Sequence, residues 1–203
     1  MDVTVIVATF GDQSWQEIAF AHAIPSAETQ APTVSFHAPA EVLSLGDCRN
    51  RAIDFHDPKG WLCFLDADDQ LAPGYLAFME QAYSGDETEL LIPAVQYLVG
   101  ATKRGAAKTF SDRDIDVMNP CPIGTLIHRD VFEDVGRFWD ESAWEDWSLF
   151  RRATLAGSKL KFVAEAVYRA QLNRNGRNST VRDPKRLHAS IITSHDRWLK
   201  DRA

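Results

Sequence analysis

Cysteine is scarce in this chain: Cys48, Cys63 and Cys121 are the only three in 203 residues. They are odd in number, far apart and without a Cys-x-x-Cys pair, so a disulfide framework is not expected and free thiols in a reducing cytosol are the simplest reading. The six histidines are dispersed with no His-x-x-x-His pair, which argues against catalytic zinc. Positive charge is outweighed, 22 Lys and Arg standing against 29 Asp and Glu for a net charge of -7. Nucleic acid is therefore not an expected partner, and an acidic surface argues against electrostatic docking on anionic lipid. No apolar run reaches the ~18 residues of a membrane span. The N-terminus opens directly into a strand pattern, without the charged region, apolar segment and cleavage site of a leader. A cytoplasmic protein with no integral membrane segment is expected, with peripheral membrane contact left open. The glycine-bearing loops lack Walker spacing and no Gly-x-Ser-x-Gly elbow occurs, so phosphate-loop ATPases and the usual α/β hydrolases drop out.

What is present is an ordinary globular composition, 45% hydrophobic and 25% charged. The length is ample for a core, and no repeat, low-complexity tract or strong linker divides it, so one domain over 1–203 is expected. "VTVIVATFGD" (Val3 to Asp12) is a continuous apolar run, the mark of a strand buried on both faces. "SWQEIAFAHAI" offers Ser14 as N-cap with Glu17 three residues on, and Pro25 as a stop. "PTVSFHAP" reads as a second strand, "LGDCRNRAIDFHD" as a helix with Asp47 as N-cap, "WLCFLDADD" as a third strand and "PGYLAFMEQAY" as a helix with Pro73 in its first turn. This alternation predicts a doubly wound parallel sheet, whose ligands bind beyond the carboxyl ends of the strands.

The second half is less regular. "TELLIPAVQYL" is a strand, "KRGAAKTFSDRDIDVMNP" a loop or hairpin, and "CPIGTLIHRDVFEDVG" a short strand followed by a helix. "SAWEDWSLFRRATLAG" is a helix ended by Gly157, "LKFVAEAVYRAQL" a last strand, and "NRNGRNSTVRDPKR" a basic loop. "LHASIITSHDRWLK" is an amphipathic terminal helix with Leu187, Ile191 and Trp198 on one stripe.

Chemistry concentrates in "FLDADDQLAPGYL", where Asp66, Asp68 and Asp69 crowd the end of a buried run. Like charges this close repel and lose hydration if enclosed, and a turn needs one Asp to bond its own backbone, not three. Either the cluster is a solvated turn with surplus charge or something cationic sits there. "WEDW" places Glu145 and Asp146 at a helix start between two tryptophans. Acids there favour the positive end of the helix in any protein, and the aromatics suit either a core or the apolar face of a sugar.

Taken in order, "VTVIVATFG", "CRNRAI", "FLDADDQLAPGYL" and "GTLIHRDVFEDVGRFWDESAWEDWSLFRRATLAG" resemble the family-2 glycosyltransferases over roughly Val3 to Tyr168. The resemblance implies a GT-A fold: a Rossmann-like, doubly wound, mostly parallel sheet flanked by helices. Residues 1 to about 100 would form a nucleotide-sugar-binding half, about 101–170 an acceptor-binding half, and 171–203 a flexible loop and terminal helix. It implies a metal-dependent, inverting transfer of a sugar from a nucleotide diphosphate sugar, a UDP-sugar by family frequency, to an acceptor hydroxyl. By the same resemblance Asp68 ligates Mn²⁺ or Mg²⁺, Asp66 faces the ribose or the metal's water shell, and Asp69 supports the turn. Asp146 is the base that takes the acceptor's proton, and Glu145 orients hydroxyls. Arg49 lies near the diphosphate or pairs with the acidic cluster, Arg51 being a surface charge. Thr9, Phe10 and Gly11 close the first strand where base and ribose lie.

Two departures stand out. Relatives carry an Asp at the end of strand two where this chain has His37, and a His after the last strand where it has Gln171, a weaker metal ligand. The basic loop is a candidate to close over bound donor. A non-catalytic carbohydrate- or nucleotide-binding module of the same fold and a nucleotidyltransferase are the rival readings. The acceptor is a glycan, glycolipid, protein or small molecule, and a homodimer is compatible with the terminal helix.

Overall fold

The computed structural model describes every residue except 40–43, 84, 86–87, 110–114, 174–179 and 203, and the side chain of 88. The apolar run at the start becomes β1 (Val3–Phe10), with Val5, Ile6 and Val7 sealed from solvent on both faces. β1 lies between β2 (Thr33–Ala38) and β3 (Trp61–Phe64), parallel to each, with Thr9 opposite His37. β3 is short and wholly buried, and the acidic turn leaves from its carboxyl end.

The helices between these strands begin and end differently from the sequence expectation. α1 (Ser14–Ala21) starts with the Ser14 N–H donating to Asp12 Oδ1 at 2.8 Å, so Asp12 and not Ser14 satisfies the first turn. Pro25 does not stop a helix. It sits in the first turn of α2 (Ala23–Glu28), where its missing N–H is harmless. The cap of α3 (Leu45–His56) is Ser44, whose Oγ accepts from the Asp47 N–H and donates to Asp47 Oδ2. Asp47, expected as the cap, is thus the third helical residue, and the cap lies three positions earlier. α4 (Tyr75–Ala82) begins one residue after Gly74, leaving Pro73 outside it.

Beyond α4 the sheet is mixed, correcting the expectation of a mostly parallel one. From β2, β1 and β3 its order continues through β7 (Leu126–His128), β5 (Thr88–Val99), β8 (Lys159–Gln171) and β4 (Gln70–Leu71), with β6 (Thr102–Lys108) also on β5. β5 (Thr88–Val99) and β8 (Lys159–Gln171) are long and parallel. β7 (Leu126–His128) wedges between β3 and β5, antiparallel to both. β6 (Thr102–Lys108) returns along β5 after a two-residue turn at Gly100 and Ala101, and so short a connection permits only an antiparallel neighbour. Sequence patterning gave no sign of β4 (Gln70–Leu71), a two-residue strand on β8 at the sheet edge. Its position means that the acidic turn crosses from the middle of the sheet to its margin.

α5 (Arg129–Asp134) follows β7, α6 (Glu145–Leu155) packs on α5, and α7 (Pro184–Arg202) packs on α6. α6 is enclosed almost from end to end, Trp147 through Ala153 being buried. The fully buried Arg152 donates to the carbonyls of Val135 and Arg137, and its guanidinium lies 4.1 Å from the centre of the Trp139 ring. This fixes the turn after α5. Cys48, Cys63 and Cys121 are free and buried. Among the described residues no helix is long and apolar enough to cross a membrane.

Candidate active site

The three carboxylates of the acidic turn occupy three different environments. Asp69 is buried and accepts hydrogen bonds from the Tyr168 hydroxyl at 2.6 Å and the Gln171 N–H at 2.7 Å, tying the turn to the end of β8. Burial, with Asp66 and Asp68 nearby, raises its pKa well above the usual carboxylate value. Asp66 receives Arg49 Nη2 at 2.5 Å. Asp68 is partly buried, and burial together with the charge of Asp66 raises its pKa. The turn is therefore not a solvated loop with surplus charge.

Arg49 organises the floor. It is 2% exposed, and its Nη1 donates to Glu145 Oε1 at 2.5 Å while Nη2 holds Asp66. Burial works against its charge, but Asp66 and Glu145 outweigh that and hold the guanidinium protonated. The helix carrying it is clamped in place. Asn50 exchanges two hydrogen bonds with the Phe138 backbone, and the Cys48 thiol donates to the Thr9 carbonyl at 3.2 Å. At Gly46 a Cβ would come within 2.9 Å of the Trp139 carbonyl, so only glycine allows α3 this approach. Arg51 is exposed, as a surface charge would be.

Glu145 and Asp146 open α6 after Trp144, which holds a left-handed backbone at φ 62°. A bulky residue in that region costs roughly 1–3 kcal/mol, and such strain gathers at working sites. Asp146 Oδ2 accepts from Asn119 Nδ2 and Oδ1 from the Trp147 N–H, each at 2.8 Å. Burial and then the neighbouring Glu145 charge push the Asp146 pKa up to about 7. Asn119 carried no legible signal of this role. Its Asn-Pro step indicates a turn, and its Oδ1 does accept from the Cys121 N–H at 3.0 Å, but nothing local announces its second partner. The tryptophans divide. Trp147 is core, donating to the Ile115 carbonyl at 2.6 Å and stacked on His188, while Trp144 is only partly buried beside it.

Arg49, Asp66, Asp68, Glu145 and Asp146 all line one cleft of about 560 Å³, with Thr9 and Phe10 at one wall and Tyr97, Tyr168 and Gln171 at another. His37 stands beside this wall, its Nδ1 3.0 Å from Thr9 Oγ1. Gly11 ends β1 at φ 91° with its N–H on the Ala38 carbonyl. Gln171, expected as a metal ligand, lines the cleft and has a partner in the backbone. In the orientation that satisfies both its groups, its amide donates to the Gly100 carbonyl at 3.2 Å and accepts from the Gly100 N–H at 2.8 Å. Among the described residues no three His, Cys, Asp or Glu side chains converge as a metal cage. A hard cation held by one or two carboxylates and completed by diphosphate oxygens and waters needs no cage, and Asp68 with Asp66 fits that donor set. The basic loop expected to close over the donor lies largely at 174–179, outside the described residues.

No family model and no curated protein matches the chain. Solved structures do. A crystal structure of S. aureus TarS 1–349 in complex with UDP-GlcNAc matches at a TM-score of 0.67 and 14% identity, covering 96% of this chain and 65% of that one. TarS 1–349 in complex with UDP matches at 0.58 and 13%, covering 96% and 70%. A third TarS structure matches at 0.58 and 13%, covering 96% of this chain and 43% of that one. This chain thus spans less than two thirds of the UDP-GlcNAc complex and under half of the third structure. At this identity the likeness is one of fold, an α/β domain with a mixed sheet flanked by helices.

Proposed function

We propose that this chain is a GT-A glycosyltransferase that moves a sugar from a nucleoside diphosphate sugar to an acceptor hydroxyl with inversion. The observation that carries the reading is the convergence on one cleft of the acidic turn after β3 and the acidic start of α6, joined through Arg49. Fold likeness to a chain crystallised with UDP-GlcNAc and with UDP supports it.

In this reading the nucleoside lies along Thr9 and Phe10 with His37 next to it, and the diphosphate lies over Asp66 and Asp68. Asp68, with Asp66, would hold a divalent cation, which would supply charge neutralisation for the departing diphosphate. The acceptor oxygen forms a bond to the anomeric carbon as the bond from that carbon to the diphosphate oxygen breaks. Its proton passes to the Asp146 carboxylate, which Asn119 and the Trp147 N–H hold in position. A base with a pKa of about 7 is well matched to that task near neutrality. Glu145 keeps the Arg49 guanidinium in place, and its charge raises the basicity of its neighbour.

The test is release of nucleoside diphosphate from a panel of nucleotide sugars, measured with Mn²⁺, with Mg²⁺ and with chelator, each with and without hydroxyl acceptors. Metal-dependent release from at least one donor is expected. Binding of nucleotide sugars with no release under any condition would favour a non-catalytic module.

A further inference from the structure

A second cleft, of about 530 Å³, opens on the other face of the β5–β8 ribbon. Strand alternation separates the two: Tyr168 and Ala170 point into the first cleft, Arg169 into the second, while Gln171 reaches both. The clefts meet at Trp15 and Asp68, which line each of them.

Its charge is opposite to that of the molecule. In a chain of net charge -7, Arg169, Lys103 and His22 gather round a cavity in which Asp68 is the one carboxylate among the described lining residues. Arg169 is partly buried, has no ion pair among the described residues, and its Nε is shut off from solvent without a hydrogen-bond partner. A guanidinium left so is unfavourable unless something anionic completes it. Lys103 projects from β6, whose seven residues are all exposed, and also lacks an ion pair among the described residues.

We propose that this second cleft is a subsite for a phosphate-bearing group, held by the Arg169 fork and the Lys103 ammonium. A guanidinium suits phosphate in two parallel bonds, and the lysine adds a point charge. The assignment rests on the proposed transferase reading only for the source of the phosphate. It belongs either to the acceptor or to the far end of the donor's diphosphate, since the clefts join at Asp68.

The probe is glycerol 3-phosphate against glycerol, titrated by calorimetry and by amide shifts, with and without UDP and Mn²⁺. Glycerol 3-phosphate is expected to bind and glycerol not to. Arg169→Gln and Lys103→Gln should each weaken the phosphate by on the order of tenfold, the lysine change falling on an exposed side chain of β6. Binding that survives UDP and Mn²⁺ assigns the phosphate to an acceptor, and displacement by them assigns it to the donor. No binding to the wild type, or equal binding by both variants, overturns the subsite. Because this readout needs no turnover, phosphate binding without sugar transfer would retain the subsite and sink the transferase reading alone.

Discussion

Arg49 and Glu145 are 96 residues apart in the chain and 2.5 Å apart in the cleft, and the same guanidinium reaches Asp66 at 2.5 Å. One buried cation therefore holds together α3, the acidic turn and the start of α6. It spaces the carboxylates of the acidic turn from those that open α6.

Arg49→Ala should be among the most destabilising single changes. It leaves Glu145, 3% exposed, without its guanidinium partner, and breaking a buried pair in this way costs about 3–5 kcal/mol. Urea unfolding would show it. Arg49→Lys keeps the charge but reaches one carboxylate at a time, and should fall between. A loss under about 1 kcal/mol for Arg49→Ala would remove the clamp from the account.

Asp146 should dominate the pH profile. In the proposed mechanism its ionised form accepts the proton, so transfer should rise with pH and level off above about 7. Glu145→Gln removes a charge that raises this pKa, and the rising limb should move to lower pH. Asp146→Asn should bind UDP and Mn²⁺ normally while transfer falls by at least about a hundredfold. The stability sign is the reverse. A carboxyl whose folded pKa lies above its unfolded value contributes stability at low pH that is lost as pH rises through the folded value. The Tm of Asp146→Asn should therefore gain on the wild type as pH rises from the ordinary carboxylate range to about 7.

Metal linkage is read at Asp68. UDP should bind tightly only with Mn²⁺ or Mg²⁺, and Asp68→Ala should weaken that binding by on the order of a hundredfold. Equal affinity in chelator and in manganese, by calorimetry, would end the assignment.

His37 meets Thr9 at 3.0 Å at the carboxyl ends of β2 and β1. A neutral imidazole offers one donor and one acceptor where an acid would offer acceptors only. His37→Ala should change the ratios among UDP, GDP and TDP affinities and leave their metal dependence alone. Unchanged ratios would make it a packing residue.

The first three strands were legible because buried parallel strands are written as continuous apolar runs, and β1 and β3 are such runs. The residues that line the cleft were legible as motifs, Asp66, Asp68, Arg49, Glu145 and Asp146 among them. What escaped depends on partners far along the chain. β4 has two residues and exists because β8 lies beside it, Asn119 matters because Asp146 faces it, and Gln171 turns to Gly100 because the hairpin brings that backbone within reach. The caps were displaced for a local reason: Asp12 and Ser44, a residue or two ahead of the helices, compete for the same free N–H groups.

The bonds from Asp69 to Tyr168 and to the Gln171 backbone close loops of 99 and 102 residues. Closing so long a loop is an entropic barrier that local helices and the early strands do not face. The acidic turn can leave β3 as soon as the first strands pair, but it is not held to its final course across the sheet until β8 has docked on β5. During refolding, nucleotide binding should accordingly return with the rate constant of β8 pairing and not with that of the N-terminal strands. The ligand thus acts as a clock for the last long-range step of folding.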